Sequence, residues 1–389
     1  MLSPQDKKDK LIRATDIDAL SCRFSANKQS YLNDPYIDSL LSSYQSHLQY
    51  CSGYTNLSAG RTLRSALGER KLPLINRGTY FRTKLIDLLV EEFVSEFKKC
   101  QIISLGGGSD TRGIKLIEKE KEVTYHEIDF PESAKIKKLA ILNDPKLFKL
   151  VCETNFQSDI EPSESGLSLI SESLSTEIES KEQFSKINPD FHSERYHLHG
   201  YDLRKLTDKD DLTNFQHLLK WVDSSIPTLV LSECVLCYLS PNENENIIKF
   251  WKMWNTSLIS FLVYEPMSLN DAFGSTMTKN LSYRGLDLQT FDEFPSLNAR
   301  FEFLTSKCGL INTKLTDMSD VGGYNNKGGL LHKPWIDTKE LQRINRLEMI
   351  DEVEEIRLLL EHYCLSYGES SVDKEITFKG IDKWRWLLT

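Results

Sequence analysis

No window of this chain holds the ~18 consecutive apolar residues needed to span a bilayer. The opening stretch MLSPQDKKDKLIRATD also lacks the apolar core of a secretory leader. A soluble protein of the cytoplasm is therefore expected. An excess of positive charge is missing as well: 48 Lys and Arg stand against 57 Asp and Glu, a net charge of -9. That balance argues against nucleic acid as the partner and leaves room only for a local basic patch. Close cysteine pairs are scarce. Of eight cysteines only Cys234 and Cys237, in ECVLCYL, lie near each other, and no second Cys or His pair stands at zinc-site spacing. No metal centre is expected, and the thiols read as core residues in a reducing compartment. Internal repeats are absent. What remains is ordinary globular composition, 40% hydrophobic and 27% charged over 389 residues, enough for one large domain or two modest ones.

Residues 1–99 read as helical. From Arg77 to Phe97, Phe81, Leu85, Leu88, Leu89, Phe93 and Phe97 share one face at helical spacing with charges opposite, so the segment is expected to pack as an N-terminal cap or lid. From residue 100 to 389 short apolar runs (QIISL, VTYHEIDF, RYHLHGYDL, PTLVLSECVLCYL, LISFLVYEP) alternate with helical patterns. Pro131 and Pro241 are placed as first helical residues. This alternation predicts an α/β fold with a doubly wound, mainly parallel sheet, whose ligands bind beyond the carboxyl ends of the strands. The Ser/Glu-rich segment 154–190 reads as an inserted mobile surface loop. Towards the C-terminus, DTKELQRINRLEMIDEVEEIRLLLEHY reads as one long helix and YCLSYG as a strand-like capping element.

The run CQIISLGGGSDTRGIKLIEKE places glycines between a strand and a helix, which by itself is only a tight turn. The next strand adds meaning. YHEIDF ends in Glu127 and Asp129, and Asp129 stands about 20 residues beyond Gly108, the offset at which a carboxylate reaches ribose hydroxyls. A nicotinamide cofactor fits poorly: Gly106 and Gly108 are followed by Thr111 where a third glycine belongs, and Asp110 at the helix start repels a pyrophosphate. A nucleoside with an amino-acid tail, S-adenosylmethionine, suits the groups better. Asp202 and Leu203, in GYDLRKL, can offer a carboxylate to an exocyclic amine and a backbone N–H to a ring nitrogen. Glu233 is an acid in an apolar strand and is costly unless paired, either within the protein or with a ligand ammonium. Arg82, on an otherwise apolar helix, can meet a ligand carboxylate or simply face solvent.

Taken in order, INRGTYFRT, IISLGGGSDTR, YHEIDFP, YDLRKL, LSECVLCYLSP and EMIDEVEEIRLLLEHYCLSYG closely resemble the leucine carboxyl methyltransferases. DALSCRF and NDPYI extend the resemblance over almost the whole chain. It implies a class I S-adenosylmethionine-dependent methyltransferase fold and methyl-esterification of the C-terminal leucine of the protein phosphatase 2A catalytic subunit, with S-adenosylhomocysteine as product and a monomeric enzyme. It also implies that Gly106 lines the cofactor, Asp129 holds the ribose, Asp202 and Leu203 frame the adenine, Glu233 takes the ammonium and Arg82 the carboxylate. Where the family has a lysine after its SC dipeptide this sequence has Arg23, with Lys28 near enough to replace it.

Such a reaction needs no general base, because a chain-terminal carboxyl of pKa ~3.5 is already ionised at neutral pH. His197 and His199 are accordingly expected to be structural. Aromatic walls from Tyr80, Tyr238 and Tyr264 are expected to orient the tail. Two alternatives stay open: the wybutosine-type tRNA carboxyl methyltransferases, whose propeller repeats have no counterpart in this sequence, and a non-catalytic relative that binds the phosphatase tail. An unpaired Glu233 is expected to argue against the second.

Overall fold

In a computed structural model of the chain, residues 4–68, 70–152, 178–207, 212–325, 334–373 and 375–389 are described. Eight strands form one sheet: β1 (Cys100–Leu105), β2 (Val123–Asp129), β3 (Phe191–His192), β4 (Tyr196–Gly200), β5 (Thr228–Glu233), β6 (Leu258–Pro266), β7 (Ile311–Asp317) and β8 (Tyr363–Ser371). Their order is β3-β4-β2-β1-β5-β6-β8-β7. The central strands from β4 to β6 pair in parallel, and β8 runs antiparallel to both β6 and β7. The fold is thus α/β with a doubly wound, mainly parallel sheet. The chain moves outward from β1 through β2 to β4 and then returns to β5 on the other side of β1. That reversal opens a crevice above the carboxyl ends of β1 and β5.

Every residue of β1 is buried, which a parallel strand covered on both faces requires. Ile102 joins the core on one side of the sheet, with Leu85, Leu89 and Phe93, while Ile103 and Leu105 join Ile247 and Trp251 on the other. Among the described residues four α-helices precede the sheet: α1 (Pro4–Lys28), α2 (Ile37–His47), α3 (Asn56–Leu67) and α4 (Pro73–Phe97). Pro73 opens α4 at a position where its missing N–H costs nothing, and Phe81, Leu85, Leu89 and Phe93 bury its sheet-facing stripe. Helix α5 (Arg112–Lys119) connects β1 to β2, and α6 (Pro131–Asn143) follows β2. Ile17 and Leu20 of α1, Leu40 and Tyr44 of α2 and Leu63 of α3 form a third cluster with Ile136, Leu139 and Ala140 of α6. The N-terminal helices therefore sit against the sheet-flanking layer through an apolar seam.

Three expectations are corrected. Residues 154–177 of the Ser/Glu-rich segment lie outside the described residues, but 178–190 are docked: Phe184 is buried, and Lys135 donates to the carbonyls of Phe184 (3.2 Å) and Ser185 (2.9 Å). The long C-terminal helix is two, Thr338–Asn345 and Val353–Glu361. It breaks because Glu348 turns inward to accept from Asn76 and Arg70, each at 2.8 Å, while Arg77 donates to the carbonyls of Ile344 and Glu348. Finally, YCLSYG is no cap. It belongs to β8, an interior strand between β6 and β7.

His126, His192, His197 and His199 gather with Trp221 under the β3 edge, the rings of His126 and His197 stacked at 4.7 Å and those of His192 and Trp221 at 4.3 Å. Burial drives these imidazoles towards the neutral form, pulling His197 down to about 4, His199 to about 3 and His192 to about 2, the last two helped by neighbouring histidines. Among the described residues no three His, Cys, Asp or Glu side chains are arranged to hold a metal. The folded pKa values lie below the unfolded one, so the cluster's stability is intact above pH ~6.5 and is lost as the pH falls from there towards the folded values. Denaturant titrations are expected to show each of these histidines costing roughly 1–2 kcal/mol between pH 7 and pH 5. In His197→Gln the loss over that interval shrinks by one histidine's share.

Candidate active site

Above the β1–β5 crevice lies a cavity of about 780 Å³, roofed by α1 and walled by α4 and by the segment from Leu281 to Gln289. Arg23, Arg82, Gly106, Asp129, Asp202, Leu203, Glu233, Tyr238 and Tyr264 all line it. Tyr80 does not. It lines a neighbouring cavity of about 330 Å³, where its hydroxyl donates to Glu340 at 2.7 Å. Residues two apart on a helix point to opposite sides, so a helix that turns Arg82 into the main cavity turns Tyr80 away from it.

The glycine turn is shaped by its neighbours. Gly106 and Gly108 take left-handed backbone with φ of 61° and 44°. A Cβ on Gly106 would come within 2.5 Å of Val235, and one on Gly108 would meet the Asp16 carboxylate. Asp16 reaches the turn from α1, its Oδ1 accepting the Ser109 N–H at 2.8 Å and the Ser109 hydroxyl at 2.7 Å. From the other side Asp129, at the end of β2, accepts the N–H groups of Gly108 and Phe130, both at 2.6 Å. Burial, then the nearby Asp16 charge, push the Asp129 carboxyl up to about 7, although those two N–H groups pull the other way.

Glu233, at the end of β5, is paired, contrary to expectation. It accepts from Arg82 Nε of α4 and, at 3.2 Å, from Arg112 Nη1 of α5. Arg112 is buried and also donates to Asp87 at 2.5 Å and to Asp110. The Arg82 guanidinium lies 5.2 Å above the ring of Tyr264, which stacks on Tyr363 at 5.3 Å. With its carboxylate satisfied inside the protein, Glu233 offers no argument of its own against a non-catalytic relative.

Arg23 is committed as well. It donates to Asp110 at 2.6 Å and to the Thr111 hydroxyl at 3.0 Å. Lys28, at the last turn of α1, lines neither cavity. Burial works to raise the Asp110 carboxyl, but Arg112 and Arg23 outweigh it and hold Asp110 well below the carboxylate range. The start of α5 thus carries a fixed negative charge. At the far end of the cavity Arg204 binds Asp202 (2.6 Å) and Asp9 of α1 (3.0 Å) with its guanidinium 5.6 Å from the Phe130 ring, and Leu203 is buried beside them.

Asp16, Arg112 and Arg204 were not singled out by the sequence. Arg112 closes the glycine run GGGSDTR, which is its one local signal, whereas Asp16 meets Ser109 across 93 positions and nothing local marks it. No histidine lines the cavity among the described residues. Burial raises the hydroxyls of Tyr238 and Tyr264 well above their ordinary value, so both stay protonated at neutral pH. The site as built can neutralise and orient a small zwitterion and can bind hydroxyl groups.

The sequence profile of the leucine carboxyl methyltransferase family matches residues 11–252. Proteins named "Leucine carboxyl methyltransferase 1" are 57% identical in Debaryomyces hansenii and 52% identical in Candida albicans, each alignment covering the whole of both chains. The protein of that name in Yarrowia lipolytica is 35% identical over 94% of this chain and 98% of its own. Mycolic acid cyclopropane synthase, solved with SAH, superposes with a TM-score of 0.39 at 9% identity over 85% of this chain and 93% of its own, too low a likeness to carry an argument.

Carboxyl NMR of the ligand-free protein is expected to show Asp129 titrating near pH 7. In Asp16→Asn the midpoint moves down, because the neighbouring negative charge is gone; an unmoved midpoint would leave burial as the whole cause.

Proposed function

The chain belongs to the leucine carboxyl methyltransferase family, and on that premise we propose that it transfers the methyl group of S-adenosylmethionine to the C-terminal leucine carboxylate of the protein phosphatase 2A catalytic subunit. Acting as a monomer in the cytoplasm belongs to the same proposal, in keeping with Cys51, Cys100, Cys237, Cys308 and Cys364 as buried free thiols. The observation that carries the cofactor assignment is the Arg82–Glu233 pair facing the cavity beside the glycine turn. A cation and an anion that satisfy each other can exchange that contact for the two ends of an amino-acid zwitterion. Glu233 then takes the ammonium and Arg82 the carboxylate, while Arg112 stays on Glu233. Arg23 braces the turn through Asp110 and stands beside the same ligand end. Asp129 accepts the ribose hydroxyls, and Asp202 and Leu203 frame the adenine, with Gly106 allowing close backbone approach.

When bound, S-adenosylmethionine supplies an electrophilic methyl on a sulfonium cation. The acceptor is a carboxylate, so opposite charges vanish on the way to a neutral ester, and a water-poor cavity favours that change. The protein supplies alignment, for which effective molarities reach ~10⁵–10⁸ M in well-placed pairs. Cations close to the acceptor would weaken its nucleophilicity. Every arginine lining the cavity has an acid partner: Arg13 with Glu132, Arg23 with Asp110, Arg82 with Glu233, Arg204 with Asp9 and Asp202, and Arg284 with Asp18. Tyr238 and Tyr264 remain as walls that can orient the tail without abstracting a proton.

Labelled methyl is expected to enter the intact phosphatase catalytic subunit and not the same protein lacking its terminal leucine. Equal labelling of both would overturn the substrate assignment. Glu233→Gln and Asp129→Asn are each expected to weaken S-adenosylhomocysteine binding by roughly tenfold or more, since each removes a charge-assisted contact. Below pH 7 the wild type should also release a proton on binding as Asp129 ionises to accept hydroxyls. Calorimetry at pH 6 in buffers of different ionisation enthalpy should find that proton in the wild type and not in Asp129→Asn.

A further inference from the structure

Glu265 lies near the end of β6, is fully buried, and does not line the cavity. Its carboxylate accepts three successive backbone N–H groups: Val235 at 3.2 Å and Leu236 at 3.0 Å on Oε1, and Cys237 at 2.9 Å on Oε2. Those residues form the turn that leaves β5, with Glu233 on one flank and Tyr238 on the other. The turn needs such support. Cys234 holds a φ of 56°, in the left-handed region that a side chain with a Cβ disfavours, and Val235 presses on the glycine turn where a Cβ on Gly106 would strike it. The backbone of β6 adds one further tie, the Tyr264 carbonyl accepting the Cys234 N–H at 2.8 Å. Burial raises the Glu265 carboxyl, while Arg300, whose guanidinium reaches the Pro266 carbonyl, together with the Cys237 thiol and the turn's N–H groups, favours its ionised form.

We propose that Glu265 is a positioning residue of the methyl-transfer site: by gathering the N–H groups of Val235, Leu236 and Cys237 it fixes the turn that sets Glu233 against the cofactor's ammonium and Tyr238 against the substrate tail. This rests on the reading of Glu233 given above. Glu265→Gln keeps the shape and one acceptor oxygen but replaces the other with a donor facing the Cys237 N–H.

The test is a double-mutant cycle on S-adenosylhomocysteine affinity with Glu265→Gln, Glu233→Gln and the pair, melting temperatures being recorded for all three. Glu265→Gln is expected to weaken binding roughly tenfold in the native background and less than about twofold once Glu233 is already Gln, while its effect on melting is the same in both. A purely structural role moves melting without this dependence on Glu233. Equal weakening in both backgrounds, or none in either, overturns the proposal. Should Glu265→Gln fail to fold, Glu265→Asp, which keeps the charge and withdraws it by one methylene, is put through the same cycle with the same criteria. Absence of S-adenosylhomocysteine binding by the wild type would overturn the site reading itself, and this proposal with it, a result distinct from additivity.

Discussion

Glu233 ends an apolar strand at the lip of the cavity, and the site is organised around the partners of that carboxylate. Desolvation works against a lone carboxylate there. Arg82 from α4 and Arg112 from α5 answer it, and Arg112 reaches on to Asp87 and Asp110. One buried guanidinium thereby ties the long N-terminal helix, the glycine turn and the end of β5 into a single unit. The helices flanking β1 are held in register by the same contacts that shape the ligand end of the cavity.

A second consequence concerns charge balance. Methyl transfer from a sulfonium to a carboxylate consumes two opposite charges, so a strongly cationic site would bind the acceptor and blunt it. This cavity is rich in arginine yet locally neutral, since each guanidinium on its wall meets an acid. The roof contributes to that balance. Asp9, Asp16, Asp18 and Arg23 all come from α1, where Asp9, Asp16 and Arg23 stand seven apart and so lie on nearly the same face, and Asp16 and Arg23 grip the consecutive turn residues Ser109, Asp110 and Thr111. Asp16 also supplies the negative charge that, after burial, does most to raise the neighbouring Asp129.

Much of the scaffold was legible in the chain. Apolar runs marked β1, β5 and β6 because parallel strands covered on both faces are apolar on both, whereas β2 and β4 carry buried polar side chains such as Glu127, His197 and His199. Pro131 and Pro241 announced their helices because a missing N–H is harmless only at the first turn. The misreadings have physical causes too. The periodicity of residues 337–363 is helical throughout, yet Glu348 found partners in Arg70 and Asn76 and bent the chain. In β8 the serines and glutamate disguised an interior strand whose polar side chains are satisfied inside: Ser366 by the Val263 carbonyl and Glu369 by Tyr367. Tyr80 was expected among the aromatic walls, but it stands two residues from Arg82 on α4, where the helix separates the two by about 200° at ~100° per residue.

The residue order was enough to specify the α/β class, the acids at the ends of β2 and β5, the carboxylate that follows β4 and the absence of a dinucleotide fingerprint, for these rest on local periodicity and on chemistry carried by short runs. Packing alone selected the partners. Arg82 meets Glu233 across 151 positions and Ser109 meets Asp16 across 93. Such pairs depend on where the order of strands brings β5 and the N-terminal helix together, and no local pattern of side chains encodes that distance.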